Sequence, residues 1–220
     1  MKSSYKEDII IEDVENITLL TSIIKLNGYT INKFLKEIFN NYKELSFKIS
    51  NVNMLYYTNT YQKYEVLLSI RFNDYNWTMK INVESGLNLK GKDEVFYLPK
   101  LKKRIILKYL TKEEKLAKMF FQIIVNILAS IDILDKFYTL YYSKIDDELF
   151  LSILENIYSS TKEKLNINEQ IKKINNLKEN KIFRSKWHRY TLKKTDIKFN
   201  LNDIQFCLKN ILAKLKERVV

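Results

Sequence analysis

The sequence predicts an α+β protein: a small mixed sheet, formed by a three-stranded meander plus short strands, with flanking helices, followed by a helical C-terminal half. Three observations predict it. Between Leu45 and Val83 apolar residues alternate, as on strands with one buried face. From Leu116 onward they recur at three-and-four spacing, as on helices buried along one stripe. Asn-Asp and glycine turn chemistry falls where one period gives way to another. The two halves divide at residues 1–110 and 111–220, and no internal repeat is visible.

Along the chain, Glu7, Asp8, Glu12 and Asp13 flank the apolar triplet Ile9–Ile11, which reads as a brief edge strand or a helix lead-in. From Ile17 to Phe39 the apolar positions Leu20, Ile23 and Ile24, then Ile31, Phe34, Leu35 and Ile38, predict two helical segments split at Gly28. Gly28 would end the first, since glycine accepts positive φ without steric cost. LSFKISNVNML, YEVLLSIRF and WTMKINV then form the meander, with a hairpin at Asn73 to Asn76. In the middle strand Tyr64, Val66, Leu68 and Ile70 share one face, and Glu65, Leu67, Ser69 and Arg71 the other. The sheet therefore has a helix-covered side and a more open one.

A loop from Glu84 to Asp93 carries Gly86 and Gly91, and Pro99 closes the short strand EVFYLP. A basic cluster at Lys100, Lys102, Lys103 and Arg104 precedes RIILKYL, which leads into the most patterned run of the chain, Thr111 to Tyr142. Leu116, Met119, Phe120, Ile123, Ile124, Ile127 and Leu128 predict a central helix there, opened by a Thr111/Glu114 capping box. Asp132 and Asp135 follow, then Phe137, Tyr138, Tyr141 and Tyr142. A helix over Asp146–Ser159 would bury Leu149, Ile153 and Ile157, and Ser160–Lys181 reads as a weak helix or a mobile connection. After WHRY and a turn around Thr195 and Asp196, a last helix runs through Ile204, Leu208, Ile211, Leu212 and Leu215.

Composition narrows the chemistry. The formal charge is +12, from 38 basic against 26 acidic side chains. Such a surface attracts phosphate backbones or anionic lipid heads without reading sequence. A chain this rich in Lys, Asn, Ile and Tyr also looks like the product of AT-biased coding, which raises lysine everywhere. One cysteine, Cys207, rules out a disulfide framework, and one histidine, His188, rules out multi-histidine metal sites. Any metal would be held by carboxylates, which suits magnesium or manganese. No run reaches the roughly 18 apolar residues of a membrane span. MKSSYKEDII lacks the features of a signal or transit peptide, so a cytoplasmic location is the default expectation.

Four stretches occur in an order that resembles the AbiEii/AbiGii-type nucleotidyltransferase toxins of bacterial abortive-infection and toxin–antitoxin systems. They are WTMKINVESG, KYLTKEEKLAKMF, DILDKFYTLYY, and FRSKWHRY with DIKFNLNDIQFCLKNIL, and together they span most of the chain. The resemblance implies a nucleotidyltransferase-like α/β half at 1–110. Active members transfer a nucleotide from an NTP to RNA using Mg, so it also implies a tRNA-like acceptor, a cognate antitoxin protein as partner and no membrane. The family's Gly-Gly-Thr/Ser hairpin and Asp-x-Asp pair do not occur here, which fits an N-terminally truncated or degenerate member. Its first carboxylate falls on Asp8, its third on the neutral Asn82, and its helix lysine on Met119, with Lys118 one residue away. In the aromatic signature, one register puts the family's acids on Asp132 and Asp135, and another on Lys136 and Thr139.

The catalytic candidates are therefore Asp8, Lys118, Asp132 and Asp135, with no metal ligand set assigned. The nucleic-acid-binding candidates are Lys100, Lys102, Lys103, Arg104, Lys193 and Lys194. Plainer roles stand beside each of these. Asp132 and Asp135 also suit a solvated face or a cap, the Phe137–Tyr142 aromatics and the Trp187/Tyr190 pair suit core packing, and His188 suits a solvated position. The alternative function is a non-catalytic protein that binds RNA or a partner.

Overall fold

The computed structural model describes residues 8–13, 16–21, 26–39, 45–58, 61–98, 103–128, 131–161, 166–194 and 199–219. The chain divides into two compact units, one of residues 1–111 with 160–162 and one of 112–159 with 163–220. The class is α+β, and the meander is present as three long antiparallel strands: β3 (Leu45–Tyr57), β4 (Gln62–Phe72) and β5 (Tyr75–Ser85). The short strands β1 (Asp8–Asp13), β2 (Asn16–Thr21), β6 (Lys92–Leu98) and β7 (Lys103–Tyr109) join it in one seven-stranded sheet, ordered β3-β4-β5-β2-β1-β7-β6.

β1 is an interior strand, not an edge: it pairs antiparallel with β2 and parallel with β7. β2 in turn pairs parallel with β5, from Ile17 opposite Ile81 to Thr21 opposite Ser85. The β4–β5 hairpin closes over Asn73 and Asp74, with Asn73 at φ 52. That left-handed conformation is one asparagine tolerates better than most residues, and it suits the twist of a two-residue hairpin turn.

The core of this unit lies on one face of β3–β5. Val66, Leu68 and Ile70 of β4 and Ile81 and Val83 of β5 are buried, as the alternation predicts. They cluster with Ile31, Phe34 and Leu35 of helix α1 (Gly28–Phe39). Each such side chain contributes about 1.5–3 kcal/mol of burial. Gly28 opens this helix instead of closing an earlier one, and the segment before it contains strand β2. The start is set by Asn27 and Thr30. Asn27 Oδ1 accepts from the Thr30 N–H at 2.9 Å, and Thr30 Oγ1 accepts from the Asn27 N–H at 2.8 Å. Leu26, just upstream, is tied to β4 at both polar ends: its N–H donates to Gln62 Oε1 at 2.6 Å, and its carbonyl accepts from the Tyr64 hydroxyl at 3.1 Å.

The second unit is helical. α2 (Lys112–Val125) is buried nearly all round, with Leu116, Ala117, Phe120, Phe121 and Ile123 each 0% exposed. The predicted central helix does not run through to Tyr142. It ends at Val125, and after a turn and a single 3-10 turn at Ile131–Ile133 a separate helix α3 (Leu134–Tyr141) begins. No glycine or proline marks the break. The Leu128 carbonyl, freed beyond the end of α2, accepts from Lys186 Nζ at 3.2 Å.

α4 (Asp147–Thr161) is capped by Asp146, whose carboxylate accepts from the Leu149 N–H at 3.0 Å. Its buried stripe is Phe150, Leu151, Leu154 and Ile157, while Leu149 is 45% exposed. The predicted stripe is thus rotated by about one residue, because the larger Phe150 packs edge-on against Phe120. The lysine- and asparagine-rich stretch contains a second short helix, α5 (Ile167–Asn175), before α6 (Lys181–Leu192). The last helix, α7 (Leu201–Val219), buries all five predicted positions. Asparagine caps recur: Asn166 accepts from Glu169 N–H, Asn180 from Phe183 N–H, and Asn200 from Asp203 N–H.

Candidate functional site

On the sheet face turned away from α1, β4 and β5 set polar residues opposite one another. Lys63 faces Glu84 and Glu65 faces Asn82. Glu84 is 0% exposed, held by Lys63 Nζ at 3.2 Å and approached by the Tyr61 hydroxyl at 3.4 Å. Glu65 pairs with Lys80 at 2.9 Å. Asn82, where the family resemblance places a third carboxylate, is almost buried between Thr18 of β2 and Glu65 of β4. The buried carboxylate of this strand is Glu84, two residues on and on the same face. The signal for it was available: alternation from Asn82 selects Glu84, and Lys63 stands directly across the hairpin.

Asp8 lies on β1 opposite Leu20, and its side chain is outside the described residues. Lys118 lies on α2 and is 2% exposed, between Glu114 (7%) and Gln122 (3%) at spacings of four. These three form a buried polar stripe along a helix whose other buried residues are apolar, in the Glu-before-Lys order that favours such pairs. Met119, on which the family's lysine falls by alignment, is only half-buried, so the inward lysine of this helix is Lys118.

Asp132 sits in the 3-10 turn and Asp135 in the first turn of α3; the Asp132 side chain is outside the described residues. Asp135 accepts from the Lys136 N–H at 2.8 Å and ion-pairs with Lys194, a residue 59 positions away. Burial pushes its carboxyl up, but hydrogen bonds from Lys194, the Tyr190 hydroxyl and the Lys136 N–H outweigh this, and the net shift is downward. The hydrogen bond to Asp135 raises Lys194 in turn. Lys194 also lies 5.1 Å from the centre of the Tyr190 ring. Two residues assigned to different roles, catalytic for Asp135 and nucleic-acid-binding for Lys194, are therefore partners, and each neutralises the other.

Lys194 ends an aromatic ladder along α6. Phe183 is buried, Trp187 stacks on it at 6.3 Å and 7°, and Tyr190 stacks on Trp187 at 6.0 Å and 27°. Lys186, Arg189 and Lys193 flank the ladder on one side, and Lys181, Arg184 and His188 on the other, all of them exposed. Between Asn180 and Lys194 there is no acidic residue. Of these cations sequence reasoning singled out only the terminal pair Lys193 and Lys194. The helical spacing of Arg184 and Arg189 beside the ladder was the signal it passed over.

Lys100 and Lys102 lie outside the described residues. Lys103 and Arg104 lie on β7 opposite Leu98 and Tyr97 of β6, with side chains outside the described residues. The aromatics after Asp135 divide between core and surface: Phe137 is buried 6.0 Å from Phe120, Tyr138 packs tilted against Phe199 at 4.4 Å, and Tyr142 is 58% exposed. Cys207 is buried, and burial pushes its thiol up to about 12, which keeps it protonated at neutral pH. Among the described residues no three His, Cys, Asp or Glu side chains are grouped to hold a metal ion, and no helix is long and apolar enough to cross a membrane.

No protein-family model and no curated protein matches the chain. Two solved structures are similar to it over most of their lengths. One is a candidate nucleotidyltransferase from H. pylori, 9% identical, with 94% of this chain and 80% of that one covered and a TM-score of 0.28. The other is JHP933 from Helicobacter pylori, 8% identical, with 98% and 88% covered and a TM-score of 0.29. Likeness at these scores assigns neither fold nor activity.

Two predictions follow from the charged groups. Lys63→Met leaves Glu84 buried without its cation and lowers unfolding free energy by about 3–5 kcal/mol, whereas Lys63→Met with Glu84→Leu regains most of the loss. Urea denaturation measures both, and a Lys63→Met variant within about 1 kcal/mol of the parent would contradict the assigned role. For Asp135 the folded pKa lies below the ordinary 3.8. Its contribution is complete above that value and is lost as pH falls through the folded pKa. Lys194 is raised, so its contribution is complete below 10.5 and is lost as pH rises through its folded value. Asp135→Asn therefore melts about 2 °C below the parent at neutral pH, a small gap because Lys194 is exposed to solvent. The gap closes on acidification below pH 3.8. A gap independent of pH would refute the ion pair's role.

Proposed function

We propose that this protein is a non-catalytic RNA-binding relative of the nucleotidyltransferase-fold toxins that its motif order resembles, and that α6 is its RNA-binding element. The observation that carries the reading is the form of that helix: a stacked Phe183–Trp187–Tyr190 ladder between two exposed cationic stripes, with no carboxylate on the helix. Cations track a phosphate backbone, and a half-exposed indole and phenol offer surfaces on which unpaired bases stack. Arginines at 184 and 189 suit phosphate because the guanidinium fork binds two oxygens at once.

The described residues do not fit Mg²⁺ and an NTP. Magnesium bound for phosphoryl chemistry needs carboxylate oxygens open to it. Asp135 is engaged by Lys194 and Tyr190, Glu84 is buried on Lys63, and Asn82 stands where a carboxylate is required. No step through that cofactor pair is derived for this chain. The same resemblance makes a cognate antitoxin the protein partner to seek by co-purification.

Fluorescence anisotropy with a labelled single-stranded RNA tests the reading. Arg184→Ala with Arg189→Ala weakens binding at least about tenfold, and each lost phosphate contact lowers the slope of log affinity against log salt by about 0.7. Unchanged affinity and slope would remove α6 from the interface. In a calorimetric titration, NTP with magnesium gives no saturable heat; a saturable site would overturn the non-catalytic assignment and leave the α6 result standing on its own.

A further inference from the structure

We infer that the open face of the β3–β5 sheet carries a phosphate-binding pocket at its hairpin end, separate from α6 and independent of the function proposed for it. The pairing register builds it. Lys48, Ser69 and Thr78 lie in one row across the three strands, and Ser46, Arg71 and Asn76 lie in the next row on the same face. Neighbours in a row stand about 4.8 Å apart and the rows about 6.8 Å apart, so the six side chains form a grid the size of one or two phosphoryl groups. Residues of the intervening row, Phe47 and Ile70 among them, belong to the α1 side and its core. All six grid residues are exposed, and they line a cavity of about 370 Å³.

The donor chemistry is that of an oxyanion site. Every grid residue brings an N–H or O–H donor, two of them cationic, and no carboxylate lines the cavity. Arg71 is steadied by donating Nε to the Asn73 carbonyl at 3.2 Å, so the hairpin turn anchors the guanidinium while its terminal nitrogens remain for a ligand. The Ser69 hydroxyl is positioned by Ser50, with the two oxygens 2.8 Å apart. On the same face Glu65 is occupied by Lys80, and Asp74 lies in the turn and does not line the cavity. An arginine fork, an ammonium and neighbouring hydroxyls are the set that recognises phosphate oxygens by charge-assisted hydrogen bonds. The phosphate is either a small phosphate ester or a phosphodiester of an RNA backbone.

Amide chemical shifts of the ¹⁵N-labelled full chain at low salt test this, with pyrophosphate and a short single-stranded RNA titrated separately. The amides of Ser46–Lys48, Ser69–Arg71 and Asn76–Thr78 shift in a saturable way. Lys48→Met with Arg71→Met, both at exposed positions, weakens that binding at least about tenfold. Arg184→Ala with Arg189→Ala leaves it unchanged, so failure of the α6 reading and failure of this one are read separately. Shifts with pyrophosphate assign a small phosphate ester, and shifts with RNA alone assign the backbone. Silence of these amides in both titrations, or shifts that survive in the Lys48/Arg71 variant, overturns the site.

Discussion

Two parallel ladders, β2 on β5 and β1 on β7, join the β3–β5 meander and the β1–β2 and β6–β7 antiparallel pairs into one sheet. The first hairpin of the chain ends up in the middle, and the later ones attach to its two flanks. Parallel pairing requires a long crossover, which here is α1 with β3 and β4 for one flank. The consequence reaches the charged residues. β5 is interior because β2 holds its outer edge, so Glu84 has Leu20 on one side and Lys63 on the other. A carboxylate in that row has no open edge through which to reach water, and its cation must come from within the sheet.

The same constraint decides what could be read from the sequence. β3, β4 and β5 were legible because their partners are neighbours in the chain and one face is solvated, which leaves a clean alternation. β2 was not, because a strand between two others reads as a continuous run, and ITLLTSII imitates a helix as well as a strand. Gly28 was noticed, but its meaning was inverted by the reciprocal Asn27–Thr30 cap, a local hydrogen-bond pattern that glycine merely tolerates. The end of α2 carries no breaker residue; Lys186 reaching the Leu128 carbonyl marks it, and that contact is distant in sequence. In α4 both Leu149/Ile153 and Phe150/Leu154 have helical spacing, and the packing of Phe150 against Phe120 and Tyr141 selects the second.

Site residues followed a related rule. Asp135, Lys118 and Lys194 were singled out one at a time from their residue types and the order of motifs. Their states were not, since they depend on contacts such as the one between Asp135 and Lys194 across 59 positions. That contact pairs a prospective catalytic acid with a prospective RNA contact, tying α3 to the segment just after α6. Net charge alone was equally ambiguous, because biased coding and phosphate binding both raise lysine. The distribution is uneven: several carboxylates of this chain are consumed in ion pairs, while α6 and the hairpin end of the sheet display cations without them.

This separation of paired and unpaired charge bears on catalysis as well as binding. A carboxylate serves a metal ion only if the ion can replace whatever already neutralises it. At Asp135 that exchange would strip two side-chain donors and one backbone donor from a partly desolvated oxygen pair. At Glu84 it would leave the Lys63 ammonium largely buried without its counter-charge, at a cost of several kcal/mol. Both exchanges oppose metal entry, and the fold offers nothing in return at Asn82, which is neutral. Phosphate meets no such barrier at Arg184, Arg189, Lys48 or Arg71, where its arrival replaces only water and counterions. The same electrostatics that engage Asp135 and Glu84 therefore leave these exposed cations open to an anionic ligand.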